Sequence, residues 1–172
     1  MRLEDIRKEI NEIDDKMKTL FDARMECAKA VAKSKLETGD IVYKPEREKE
    51  MYERYMDNPD YVAFLKKVVQ LSRRRQYELF LDNEEDGELF DKFLSEDLKD
   101  EKLSLKLKTD KSCEEGLNIK AVLSIIADSV LEIEKLEADN TNMVFIVLNV
   151  PEDEISQKEA YILKYMLESE TL

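Results

Sequence analysis

The sequence predicts an all-α region of three helices, built to intertwine with a second chain, followed by a small α+β module. Three observations carry this. Apolar residues recur at three-four spacing through the first helices, and neither Gly nor Pro occurs before Gly39. Past the middle of the chain the apolar spacing shortens to the period of a strand. The charge divides at the same place: of 28 Lys+Arg and 41 Asp+Glu, residues 1–80 hold 18 and 17, and residues 81–172 hold 10 and 24. A neutral half joined to a strongly acidic one reads as two modules, 1–81 and 82–172.

In chain order, Leu3, Ile6, Ile10, Ile13, Met17 and Leu20 place one face of a helix spanning 3 to about 36 into a core. At 1.5 Å per residue that helix is about 50 Å long, too long for a small domain to cover alone. Gly39 stops it, and Pro45 in "VYKPERE" opens a second helix over 45 to about 56. "DNPD" breaks the chain again, and a third helix runs from 59 to about 81. With few apolar groups elsewhere to cover the first helix, the three predict an intertwined oligomer.

After "DNEEDGE" a short helix is expected over about 87 to 98. "KLSLKLKT" follows, with Leu103, Leu105 and Leu107 alternating as in a strand. A helix over about 118 to 138 comes next, then "MVFIVLNV", ended by Pro151, as a buried strand. The last helix opens on "SQKE", a Ser156/Glu159 capping box.

Composition removes several chemistries. The chain has no His, so a Ser-His-Asp triad, a Cys-His pair and a His-ligated metal are all excluded. Its three glycines are isolated, so there is no glycine-rich phosphate loop. Cys27 and Cys113 form neither a disulfide framework nor a zinc knuckle and read as small core residues in a reducing, cytoplasmic setting. No apolar run approaches a membrane span, no signal-peptide core follows Met1, and the acidic second half argues against nucleic acid or an anionic membrane as partner.

The informative residues are polar ones in apolar register. Continued past Leu20, the stripe of helix 1 reaches Arg24, passes Cys27, Ala28 and Val31, and reaches Lys35. Helix 3 shows the same pattern: Tyr61, Leu65, Val68, Ser72, Gln76, Leu79. Singly, a long cation snorkels to solvent and a Ser or Gln bonds to a neighbouring carbonyl. Four together describe a polar pocket inside a bundle. Arg24 and Lys35, eleven residues apart, lie within about 20° on the helical wheel and about 16 Å along the axis, so both reach one small ligand. Arg7 lies about 25 Å from Arg24 and is turned by about 100°, so it enters such a site only from another subunit.

"LEDIRKEINEIDDKMKTLFDARMECAKAVAKSK", "VYKPERE" and "QLSRRRQ" together resemble the all-helical, AroQ-type (type II) chorismate mutase family over residues 1–81. The resemblance implies a homodimer with shared active sites and rearrangement of chorismate to prephenate in phenylalanine and tyrosine biosynthesis. That reaction is a one-step pericyclic shift needing no nucleophile, metal or cofactor, which fits a chain without His. By resemblance, Arg24 and the partner's Arg7 clamp the two substrate carboxylates and Arg47 assists. Glu48 accepts from the ring hydroxyl, Lys35 and Gln76 meet the ether oxygen, and Ser72 contacts a carboxylate. The chain departs from the family before helix 2, where an Arg and an Asp are replaced by Tyr43 and Lys44; either losing the Asp removes one hydroxyl contact, or Lys44 faces solvent and the backbone alone makes that contact. Most of "RRR", 73–75, is expected on a solvated face.

Residues 82–172 resemble no family and are too few for the prephenate dehydratase or dehydrogenase domains often fused to such mutases. An effector-binding or dimer-extending module and a docking element for another shikimate-pathway enzyme both stay open. Two rival functions use the same sequence features: an isochorismate-pyruvate lyase on the same scaffold, and a non-catalytic helical dimerisation protein.

Overall fold

The computed structural model describes residues 2–83, 87–109 and 118–171. Three helices come first: α1 (Leu3–Thr38), α2 (Pro45–Glu53) and α3 (Pro59–Asp82). Their ends follow local chemistry. Gly39, at φ 69°, closes α1 in the left-handed conformation that a side chain resists. Pro45 and Pro59 sit in the first turns of α2 and α3, where no amide hydrogen is missed, and the Asn58 side chain accepts from the Tyr61 amide.

The second region opens with α4 (Glu88–Lys92), which runs into a π-helical turn (Phe93–Asp97) and a two-residue strand β1 (Leu98–Lys99). There follow β2 (Lys102–Lys108), α5 (Ile119–Ala127), β3 (Glu132–Ala138), β4 (Met143–Asn149) and α6 (Glu154–Glu170). The four strands form one antiparallel sheet in the order β1-β2-β4-β3. Helical region followed by small α+β module is therefore the architecture. Among the described residues no helix is long and apolar enough to cross a membrane.

The core explains the sheet. Leu103, Leu105 and Leu107 of β2 stand directly opposite Leu148, Ile146 and Val144 of β4, and all six are buried. Val122, Ile125 and Ile126 of α5 and Ala160, Leu163, Met166 and Leu167 of α6 belong to the same apolar cluster. Val42 and Tyr77, from the helical region, join it too.

Three expectations need correction, and one holds. The helix expected over 118 to 138 ends at Ala127, and residues Glu132–Ala138 pair with β4 as an edge strand. The short helix expected over about 87 to 98 is present, as α4 running without a break into the π-helical turn that ends at Asp97. At the start of α6 the cap is Asp153, whose carboxylate accepts from both the amide (2.8 Å) and the hydroxyl (2.7 Å) of Ser156; Ser156 lies inside the helix and Glu159 reaches Arg74 instead. Cys27 is exposed, because the face of α1 that meets α3 is the one carrying Met25, Ala28 and Ala32. Cys113 lies outside the described residues. The stripe from Leu3 to Leu20 is likewise exposed in the single chain.

Candidate functional site

The site residues are carried by the C-terminal half of α1, by α2 and by α3. The small buried residues Ala28 and Ala32 let α3 approach α1 closely. Arg24 is half-buried, and its Nη2 lies 3.9 Å from Met51 Sδ on α2. Three turns on, Lys35 is half-buried and donates from Nζ to the Val42 carbonyl at 2.7 Å. Burial holds its pKa below the ordinary lysine value, Lys44 adds to that, and the Asp40 and Glu48 carboxylates oppose it. The helix is unbroken from Leu3 to Thr38, so Arg24 and Lys35 keep the common face that their spacing predicts.

Glu48 ties α2 to the third helix. Its two oxygens accept from Arg73 Nη1 at 2.6 and 2.8 Å, and one also accepts from the Tyr52 hydroxyl at 3.3 Å. Ser72 and Gln76 are both buried on α3, one turn apart. The Gln76 amide nitrogen is 3.4 Å from the Ser72 carbonyl, and Gln76 Oε1 has no partner among the described residues. A buried polar atom left unpaired costs about 1–3 kcal/mol, so native proteins rarely keep one without cause.

Two expected residues stand apart in the single chain. Arg47 is exposed and turned toward Glu50 at 3.5 Å. Arg7 is exposed on the free end of α1, about 25 Å from Arg24 by helical rise.

Sequence reasoning missed the group that organises the wall. Arg73, expected on a solvated face, is only 12% exposed and is gripped from the other side by Glu170 of α6 through Nε at 2.6 Å. Glu170 is itself 2% exposed. Burial works against the Arg73 charge, but Glu170 and Glu48 more than compensate and hold its pKa above the ordinary arginine value. Burial also pushes the Tyr52 phenol up, with Glu48 adding to the effect, and pushes the Glu170 carboxyl up against the pull of Arg73. Arg73 further lies over the ring of Tyr43, 5.1 Å from its centroid. Arg74 is also drawn from solvent, by Glu78 and Glu159, while Arg75 remains half exposed. In the structure Arg73 lies beside Ser72 on a wide inward face of α3 that also carries Val68, Val69, Gln76 and Tyr77. Lys44, at the second departure from the family, is half-buried and pairs with Asp40 at 2.6 Å.

The site is thus a set of fixed donors with little means of covalent chemistry. Arg24, Lys35 and the Gln76 amide donate; Glu48 accepts. Residues 6–77, the helices that carry this set, match the family model of chorismate mutase type II. No curated protein and no solved structure matches the chain.

Proposed function

With its helical region a match to the chorismate mutase type II family, we propose that this protein rearranges chorismate to prephenate and so serves phenylalanine and tyrosine biosynthesis. The observation that carries the reading is the half-buried pair Arg24 and Lys35 on one face of α1, with Glu48 and the Gln76 amide, whose nitrogen makes only a long 3.4 Å contact with the Ser72 carbonyl, on the helices beside it. Cations and amides kept partly dry without full partners are costly unless a ligand completes them.

The reaction asks for just such groups. Chorismate rearranges when its enolpyruvyl side chain is folded over the ring and negative charge grows on the ether oxygen as the C–O bond breaks. Arg24 holds one carboxylate in a forked pair, which restricts the substrate to the folded conformer. Lys35 and the Gln76 amide donate to the ether oxygen, where their hydrogen bonds strengthen as charge develops. Glu48 accepts from the ring hydroxyl, and Arg73 and Tyr52 keep its carboxylate in place. Ser72 and Arg47 add carboxylate contacts, Arg47 by swinging from Glu50.

The second carboxylate falls to Arg7 of a second copy. The exposed stripe Leu3, Ile6, Ile10, Ile13, Met17 and Leu20 supports a dimer in which the free half of α1 lies on its partner. The test is turnover of chorismate by the purified full chain, followed as loss of substrate with the product identified. Prephenate is expected. Salicylate plus pyruvate from isochorismate, with chorismate untouched, would make it a lyase, and no turnover of either would leave a helical dimerisation protein.

A further inference from the structure

A groove of about 680 Å³, open to solvent, lies between α2, α3 and α5. It borders the proposed active site through Glu48 and Arg73, but Arg24, Lys35, Ser72 and Gln76 are not in its wall. Its charge runs against that of the protein. The chain carries 28 Lys+Arg against 41 Asp+Glu, yet the wall holds five cations, Lys49, Lys66, Lys67, Arg73 and Lys120, against the carboxylates of Glu48, Glu53 and Glu170. Glu48 and Glu170 are both committed to Arg73, and Lys67 is held by Asp128. Lys66 lies 5.4 Å from the centroid of the Tyr52 ring. Neither Lys66 nor Lys120 has a carboxylate partner among the described residues. The N-terminal end of α5 opens on the same space through Asn118 and Ala121, and its dipole adds to the positive potential.

The remainder of the wall is apolar or aromatic: Tyr43, Tyr52, Val62, Ala63 and Met56. The volume is large enough for a small organic ligand, which would lie in the groove with one side in water. We propose that this groove binds a small organic carboxylate with an apolar or aromatic body, the carboxylate taken by Lys66 and Lys120 and the body lying against Tyr52 and Val62. The site draws its walls from both regions of the chain, so a bound molecule ties α5 to α2 and α3 and stabilises their contact. The inference is independent of the proposed activity.

The probe is 3-phenylpropanoate, titrated calorimetrically into the full chain, with its neutral amide and inorganic phosphate as comparisons. Saturable binding of the carboxylate is expected, weakened at least about tenfold for the amide, for phosphate and for the double variant Lys66→Ala/Lys120→Ala. Lys66 and Lys120 are both exposed, so the variant retains its fold. Arg24→Ala is expected to bind the probe as the wild type does. The proposal is overturned by absence of binding up to about 10 mM, by equal affinity for the amide or for phosphate, or by undiminished binding in the double variant. Loss of binding in Arg24→Ala would overturn it too, because it would place the probe in the substrate site.

Discussion

On β2, Leu103, Leu105 and Leu107 are between 0% and 3% exposed, whereas on the N-terminal half of α1 Leu3, Ile6, Ile10, Ile13, Met17 and Leu20 are between 39% and 71% exposed. Both stretches are regular apolar patterns. The strand finds its cover inside the chain, in β4 and the helices behind it. The helix does not, because α1 has 36 residues and α3 has 24, so α1 outruns its companion by about 18 Å at 1.5 Å per residue. An apolar period states that a face will be covered; element lengths state whether the same chain can do it.

The comparison is broken most severely by a charge placed in each pattern. Leu105→Glu puts an unpaired carboxylate into the sheet core and should unfold the α+β region, a loss of several kcal/mol seen as a collapsed thermal transition. Ile13→Glu should leave each chain folded but separate the copies, read as a halved mass in light scattering. If both variants behave alike, the two faces do not differ as described.

Arg24→Ala tests the polar half of α1. If Arg24 is the proposed ligand clamp and not a packing group, turnover should fall by about a thousandfold or more without loss of the fold. An active but much less stable variant would make Arg24 a structural residue instead.

Arg73→Ala probes where the two regions join. It leaves Glu48 and Glu170 facing one another without their shared cation, and breaking a buried pair in this way costs about 3–5 kcal/mol. Denaturant unfolding of the full chain measures it. A loss below about 1 kcal/mol would show that the Glu48–Arg73–Glu170 array behaves as a surface pair.

The smallest effects are pH shifts. Burial lowers the pKa of Lys35, so its ammonium is lost at a lower pH than an ordinary lysine's. Turnover that depends on the ammonium should therefore fall on the alkaline side below pH 10.5. Over the same window the unfolded chain binds more protons than the folded one, so the Lys35 contribution to stability rises as activity falls. Lys35→Arg should remove that alkaline limb. Gln76→Glu should act only where its carboxyl is protonated and move activity toward acid; an unshifted profile at normal rate would take Gln76 out of the site.

The helices of the first region and strand β2 were legible because their periods are clean, and β4 because an unbroken apolar run ends at Pro151. Strand β3 was not. "EIEKLEA" is made of helix formers, and its register against β4 shifts between Ile133 and Lys135. That irregularity leaves Ile133 opposite Leu148 and Leu136 opposite Ile146, so residues three apart share one sheet face and imitate helical spacing. Pairing with β4 outweighs propensity here. Within the site, polar residues in apolar register pointed to Arg24, Lys35, Ser72 and Gln76. Arg73 escaped because its partner Glu170 is 97 residues away, and no local pattern reports a pair at that separation.

The most direct test of the central claim, a site completed by a second copy, mixes two inactive variants. Arg7 and Arg24 are about 25 Å apart on one unbroken helix, so a site that uses both takes them from different chains. Combining Arg7→Ala with Arg24→Ala chains under conditions of subunit exchange makes about half the dimers mixed, and half the sites in those carry both arginines. Activity should return to about a quarter of the wild-type value. No recovery, with exchange verified by mass, would contradict the shared site and remove Arg7 from it.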